Sequence, residues 1–207
     1  PLERALGPDI GRAVMDWHLA KGLDLRAGLA FESIAGADRP EAVVLGGGER
    51  IPADVVVVGV GVAPVTDWLR DSGLDLDDGV RCDERLRVLR SGRPIPDVVA
   101  AGDVARWDHP VYGEPVRIEH WPNATEAGEA AARTLLLGDG AEPYGPTPYF
   151  WSDQHGMKLQ VVGRTRPGDQ TALIEGGWDE DRLLVAYGRQ GRLGGALGLR
   201  RPSRVMA

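Results

Sequence analysis

The chain has 207 residues, with 24 Lys and Arg against 31 Asp and Glu, and a formal charge of −7. That balance argues against nucleic acid as a partner, because neutralising phosphates needs surplus cations, and no run of about 18 apolar residues is present to span a membrane. One cysteine, Cys82, excludes an internal disulfide, a Cys-x-x-Cys redox pair and a thiolate cluster, and the four histidines lack metal-ligand spacing.

Apolar residues make up 43% and charged residues 27% of the chain, an ordinary globular composition large enough for one or two domains. The lone cysteine and the lack of a leader-like start make the cytoplasm the default compartment. The chain opens on Pro1 inside an apparent pattern and stops at Val205-Met206-Ala207, where a helix is expected to begin. It therefore reads as a piece of something longer.

The first element expected is a helix over 6–22. Pro8 suits the first turn, Asp9 complements the positive helix end, and Ile10, Val14 and Trp17 form an apolar stripe that Gly22 stops. Alternation over 23–28 predicts a strand. Ala42 to Leu45, the triple glycine 46–48 and Glu49 to Ile51 predict a hairpin. Asp54 to Pro64 holds four consecutive valines, which predicts a strand buried on both faces in a layered α/β sheet. A short helix over 66–71 follows, closed by Gly73.

Residues 79–83 and 85–88 predict a short strand region, and 96–103 a brief buried strand ending in Gly-Asp. A loop from Trp107 to Pro115 precedes a helix over 123–137 that is rich in alanine and stopped by Gly138. The proline-rich stretch 142–148 reads as a domain boundary. Beyond it, short alternating runs broken by Gly and Asp predict an antiparallel meander.

Four motifs stand out. Gly59-Val60-Gly61 ends the valine strand, where glycine would let a ligand reach the backbone; a tight turn explains it equally. Ala100-Ala101-Gly102-Asp103 puts a carboxylate at a strand end, where it could accept hydrogen bonds from sugar hydroxyls or merely cap the next loop. Glu119-His120-Trp121 precedes a helix whose N-terminus offers unpaired N–H donors. Trp121 could stack on a ring there, or be a core residue with Asn123 as the N-cap. Tyr149-Phe150-Trp151 could wall a planar ligand or form an apolar seam. His18 and Cys82 read as structural, and no nucleophile elbow occurs.

Taken in order, Val58-Gly59-Val60-Gly61-Val62-Ala63-Pro64, Ala100-Ala101-Gly102-Asp103, Glu119-His120-Trp121 with Ala124, and the 149–154 run Tyr-Phe-Trp-Ser-Asp-Gln resemble the carboxyl-terminal half of FAD-dependent, NAD(P)H-linked ferredoxin reductases, the oxygenase-coupled and apoptosis-inducing-factor-like pyridine nucleotide flavoproteins. The resemblance spans essentially the whole chain. It implies an α/β fold: the remainder of two Rossmann-like dinucleotide-binding domains, then an antiparallel-sheet reductase domain. The corresponding divisions are 1–64 (NAD(P)), 65–146 (returning FAD segment) and 147–207 (reductase domain, apparently truncated).

The resemblance also implies electron transfer from NAD(P)H through FAD to a ferredoxin-type iron–sulfur protein. It gives Gly102 and Asp103 to the ribityl or pyrophosphate region of FAD, His120 and Trp121 to the isoalloxazine, and Glu119 to the nicotinamide end. Gly61 would admit the dinucleotide, and Trp151 would wall the stacking site. The glycine loops of both dinucleotide sites are absent from this sequence, so the chain alone is expected to be inactive. Two alternatives stay open: a catalytically silent or partner-binding module, and a rubredoxin or nitrite reductase component.

Overall fold

The computed structural model describes residues 2–166 and 168–206. By backbone contacts the chain divides into two units, one of residues 1–4 with 8–62 and one of residues 5–7 with 63–207. Pro1 and Ala207, on which the expectation of a longer chain partly rested, lie outside the described residues.

The first unit holds helix α2 (Pro8–Ala20); the short α1 before it (Glu3–Leu6) has its last two residues in the second unit. The α2 stripe is the expected one: Ile10, Val14 and Trp17 are buried. Gly11 shares that face because a Cβ there would sit 2.8 Å from the backbone nitrogen of Glu3. The hairpin is also present, as β2 (Ala42–Leu45) and β3 (Arg50–Pro52), turning on Gly47 and Gly48 at positive φ. Strand β1 (Phe31–Ala35) pairs antiparallel with β2 to complete a three-stranded sheet.

Two expectations fail in this part of the chain. Residues 23–28 form no strand; Arg26 instead clamps Asp24 and Glu49 in an exposed ion-pair cluster. Nor is the valine run of 54–64 a buried strand. It pairs with no described strand, and Val57 and Val60 are each 90% exposed. Valine content favours an extended backbone, but burial of both faces needs a hydrogen-bonded strand on either side. No described segment supplies one.

The second unit carries two sheets. The first has the order β6-β5-β4-β7-β8, with β4 (Val80–Cys82), β5 (Arg87–Arg90), β6 (Arg93–Val99), β7 (Ala105–His109) and β8 (Glu114–Val116). Only β4 and β7 run parallel, with Cys82 opposite Trp107. The supposed loop from Trp107 to Pro115 is thus the β7–β8 hairpin, and Trp107 is a fully buried core residue rather than a loop residue. The supposed buried strand ending in Gly-Asp is an edge strand, mostly exposed, which tolerates Pro94 and Pro96 because no strand among the described residues pairs with its outer side.

Helix α3 (Trp121–Leu137) covers this sheet through Asn123, Ala127, Ala131 and Thr134, a row at helical spacing. The alanines let it approach closely, and the core comprises Val80, Cys82, Leu86, Val88, Trp107, Val116 and Tyr144 beneath it. The proline-rich stretch 142–148 is woven into this core. Trp107 Nε1 donates to the Tyr144 carbonyl at 2.9 Å, and the Tyr144 N–H donates to the Glu84 carbonyl at 2.7 Å. Cys82 is packing: burial pushes its thiol up to about 12.

The second sheet is wholly antiparallel, in the order β11-β12-β13-β10-β9. It contains β9 (Tyr149–Gln154), β10 (Met157–Gly163), β11 (Gln170–Gly177), β12 (Arg182–Arg189) and β13 (Arg192–Leu199). Leu159, Val161, Leu183, Val185, Tyr187, Leu197 and Leu199 bury one face. A short helix, α4 (Pro202–Val205), rests on Gly198, where a Cβ would overlap Val205. Among the described residues, no helix is long and apolar enough to cross a membrane and no group of three His, Cys, Asp or Glu could hold a metal.

Candidate functional site

The site forms where the edge strand β6 leaves its sheet. Ala100 and Ala101 lead into a single 3-10 turn, Gly102–Val104. Gly102 has φ +73, and a Cβ on it would touch Ala124 of α3 at 3.7 Å. The glycine therefore lays its backbone against the first turn of α3 in a conformation that L side chains rarely adopt. Asp103 follows with an exposed carboxylate, for which no ion-pair or hydrogen-bond partner is found among the described residues.

The α3 terminus is built differently from the sequence expectation. The N-cap is His120, not Asn123, and no side chain caps the first turn. Asn123 turns inward: its Nδ2 donates to the Ile118 carbonyl at 2.9 Å, and its Oδ1 accepts the Tyr144 hydroxyl at 3.0 Å. With Asn123 occupied in the core, the N–H groups of the first turn stay available, and Pro122 has none to satisfy. Uncapped N–H donors at a helix start attract electron-rich oxygens.

The ring of His120 lies 4.9 Å from that of Phe150 on β9, tilted by 46°. Its Nδ1 is buried without a hydrogen-bond partner among the described residues. Burial lowers its pKa below the ordinary value, against a smaller opposing pull from Asp103 and Glu119. The ring is therefore held neutral with one ring nitrogen unspent. Trp121, next along, is 84% exposed, which disposes of its reading as a core residue. Glu119 is ion-paired to Arg117, whose Nη1 also donates to the Asp103 carbonyl at 3.2 Å. Arg117 reaches Asp78 as well, so one guanidinium ties the two acidic motifs together.

Gly102, Asp103, Glu119, His120 and Trp121 thus converge on one end of α3. Trp151 does not join them through any ring contact among the described residues. Period-two alternation puts it on the other face of β9, stacked on Tyr149 at 5.7 Å with Lys158 Nζ 5.5 Å from its ring centre. It is 44% exposed, so the aromatic triplet is not a closed seam. Gly61 belongs to the first unit, in the exposed valine segment, at φ +97 with open space where a side chain would be.

Sequence reasoning missed three contributors. Phe150 was named only as part of the triplet; alternation within 149–151 singles it out as the residue opposite in facing to Tyr149 and Trp151. Arg117 carried no motif signal. Tyr144 lay hidden in a stretch read as linker, though it fixes Asn123 and so leaves the helix start uncapped.

The arrangement suits a planar, hydroxyl-bearing ligand with an electron-rich edge: uncapped N–H groups, an unspent carboxylate and an open indole. A family model described as pyridine nucleotide-disulphide oxidoreductase matches residues 1–128, and one described as reductase C-terminal matches residues 149–207. The chain is 35% identical over 195 residues to the 5,5'-dehydrodivanillate O-demethylase ferredoxin reductase subunit of Sphingobium sp., covering 93% of this chain and 45% of that protein. It is 31% identical over 190 residues to putidaredoxin reductase CamA of Pseudomonas putida, covering 90% and 43%.

Among solved structures, the ferredoxin reductase for the CYP199A2 system of Rhodopseudomonas palustris superposes with a TM-score of 0.86 at 34% identity, covering 98% of this chain and 48% of that one. The chain spans about half the length of the relatives it matches. Since the first model covers well over half of the residues, including Gly61, the Gly102–Asp103 turn and the start of α3, the chain belongs to the pyridine nucleotide-disulphide oxidoreductase family.

Proposed function

We propose that this chain serves the FAD-dependent transfer of electrons from NAD(P)H to a ferredoxin-type iron–sulfur protein. The observation that carries the reading is the uncapped start of α3, with the exposed Asp103 and Trp121 gathered beside it. The relatives' own names, ferredoxin reductase and putidaredoxin reductase, support the same reaction class. Another solved relative, at 28% identity and TM-score 0.85, is a covalent complex of putidaredoxin reductase with putidaredoxin, which supports a small iron–sulfur partner.

FAD, when bound, accepts two electrons from NAD(P)H and releases them one at a time. The residues divide the remaining work. Asp103 would accept hydrogen bonds from the ribityl or pyrophosphate region, and Gly102 would let that region meet backbone. The α3 N–H groups would stabilise negative charge at the pyrimidine edge. Trp121 would cover the ring and exclude water, and the His120 ring, packed against Phe150, would back the helix start. Glu119, kept in place by Arg117, would face the nicotinamide end. Gly61 would admit the dinucleotide and Trp151 would flank it.

We further propose the divisions 1–64, 65–146 and 147–207; the contact break after Val62 and the start of the reductase C-terminal match at 149 support them. The cytoplasm is the proposed compartment, on cysteine usage alone.

The test is flavin retention. In flavin-loaded protein, Asp103→Ala loses charge-assisted hydrogen bonds, and FAD affinity falls roughly tenfold to hundredfold. Full flavin occupancy after prolonged dialysis of that variant would remove Asp103 from the site.

A further inference from the structure

Away from the α3 terminus, the second unit carries a cavity of about 320 Å³ lined by Tyr112, Arg164, Arg166, Asp169, Arg189 and Arg192. Four guanidiniums thus surround one small cavity in a chain whose formal charge is −7. Two carboxylates answer them. Glu114 Oε1 accepts from Arg164 Nη1 and, at 2.6 Å, from Arg166 Nη2. The Asp169 carboxylate is nearly buried and fully engaged: Oδ2 accepts the Arg166 backbone N–H and Oδ1 accepts Arg189 Nε, both at 2.7 Å. Four cations against two anions leave a local surplus of two positive charges.

Arg164, Arg166 and Arg192 keep donors to spare among the described residues. Each has five N–H groups in a plane. Arg164 and Arg166 each spend a single side-chain nitrogen on Glu114. The Arg192 side chain, exposed at the start of β13, forms no ion pair with any described residue. The cavity wall is also held in place. Tyr112 lies under Arg164 at 5.5 Å, and its ring stacks on that of the buried His109 at 4.2 Å. Convergent arginine forks held by packing match a tetrahedral dianion, whose oxygens can be reached from several directions. The volume is at the lower end of small-molecule sites, so it fits one compact group rather than a folded acidic surface.

We propose that this arginine-lined cavity binds a small ligand through a compact dianionic group, a phosphate or pyrophosphate. It lies apart from the residues gathered at the start of α3 and does not depend on their reading.

Titration calorimetry with inorganic phosphate and inorganic pyrophosphate, at constant ionic strength balanced by chloride, tests it. Saturable binding is expected for at least one of the two, weakened about tenfold or more in Arg192→Gln and partly kept in Arg192→Lys, which retains charge and loses the fork. Arg192 has no ion pair with a described residue to lose, so the variant is expected to melt with the wild type. Arg164→Gln gives a second, independent loss of binding. The proposal is overturned by an absence of saturable binding, by wild-type affinity in both glutamine variants, or by binding of a poly-glutamate peptide without binding of either inorganic anion.

Discussion

Asn123 and Trp121 sit two residues apart and do opposite things. Asn123 spends its amide on Ile118 and Tyr144 inside the core, whereas Trp121 lies open to solvent. Asn123→Ala takes the amide donor from the Ile118 carbonyl and leaves the Tyr144 hydroxyl only its longer bond to the residue-123 backbone carbonyl at 3.3 Å, so it is expected to cost about 1–3 kcal/mol in urea unfolding. Trp121→Ala is expected to shift stability by no more than about 0.5 kcal/mol while weakening flavin binding. If both variants lost stability alike, Trp121 would be a packing residue. A third residue-scale effect concerns pH. His109 Nε2 donates to the Pro146 carbonyl at 3.0 Å, while Nδ1 accepts the Val111 and Tyr112 N–H groups, which fixes a neutral ring. Burial holds the pKa of His109 and His120 below 6.5. Below that value the unfolded chain binds more protons than the folded chain, so stability is present above pH 6.5 and falls as pH drops through the window beneath it. Unfolding midpoints measured from about pH 7.5 to about pH 5 are expected to decline, with a shallower slope in His109→Gln.

At the scale of elements, burial separates two segments that look equally apolar in sequence. Val57 and Val60 are exposed, while Trp107 is enclosed between α3 and the first sheet of its unit. Replacing either valine by threonine is expected to change stability by less than about 0.5 kcal/mol, whereas Trp107→Ala is expected to cost about 3–5 kcal/mol. Amide exchange gives a parallel check: residues 55–62 exchange rapidly and β7 slowly. What sequence can reveal follows from where the stabilising contacts lie. Helix α2 was legible because its stripe and its stop are local. The β2–β3 hairpin was legible because glycine defines the turn. The valine run was misread because four valines specify an extended backbone and say nothing about neighbours. Strand β7 was missed because its pairing with β4 comes from 25 residues earlier in the chain, as in Val80 opposite Ala105. At the site, Gly102, Asp103 and His120 were visible as a motif. The inward turn of Asn123 was not, since Tyr144 lies 21 residues away.

For the whole molecule, what stands to be tested is the proposed transfer of electrons from NAD(P)H through FAD to a small iron–sulfur protein. Trp151, on the outer face of β9 with Lys158 beside it, is expected to act on the nicotinamide side. Trp151→Ala should slow flavin reduction by NAD(P)H while leaving FAD occupancy intact; unchanged reduction kinetics would remove it from the path. The most direct measurement is anaerobic stopped-flow mixing of the flavin-loaded protein, carried in a chain that also supplies both dinucleotide glycine loops, with NADH or NADPH, with and without an added two-iron ferredoxin, followed at the flavin and ferredoxin absorbances. The account predicts flavin bleaching on mixing and ferredoxin reduction only when the nicotinamide, the flavin protein and the ferredoxin are all present. Flavin bleaching with the ferredoxin left oxidised would contradict it and would make the chain part of a redox-sensing or partner-binding flavoprotein instead.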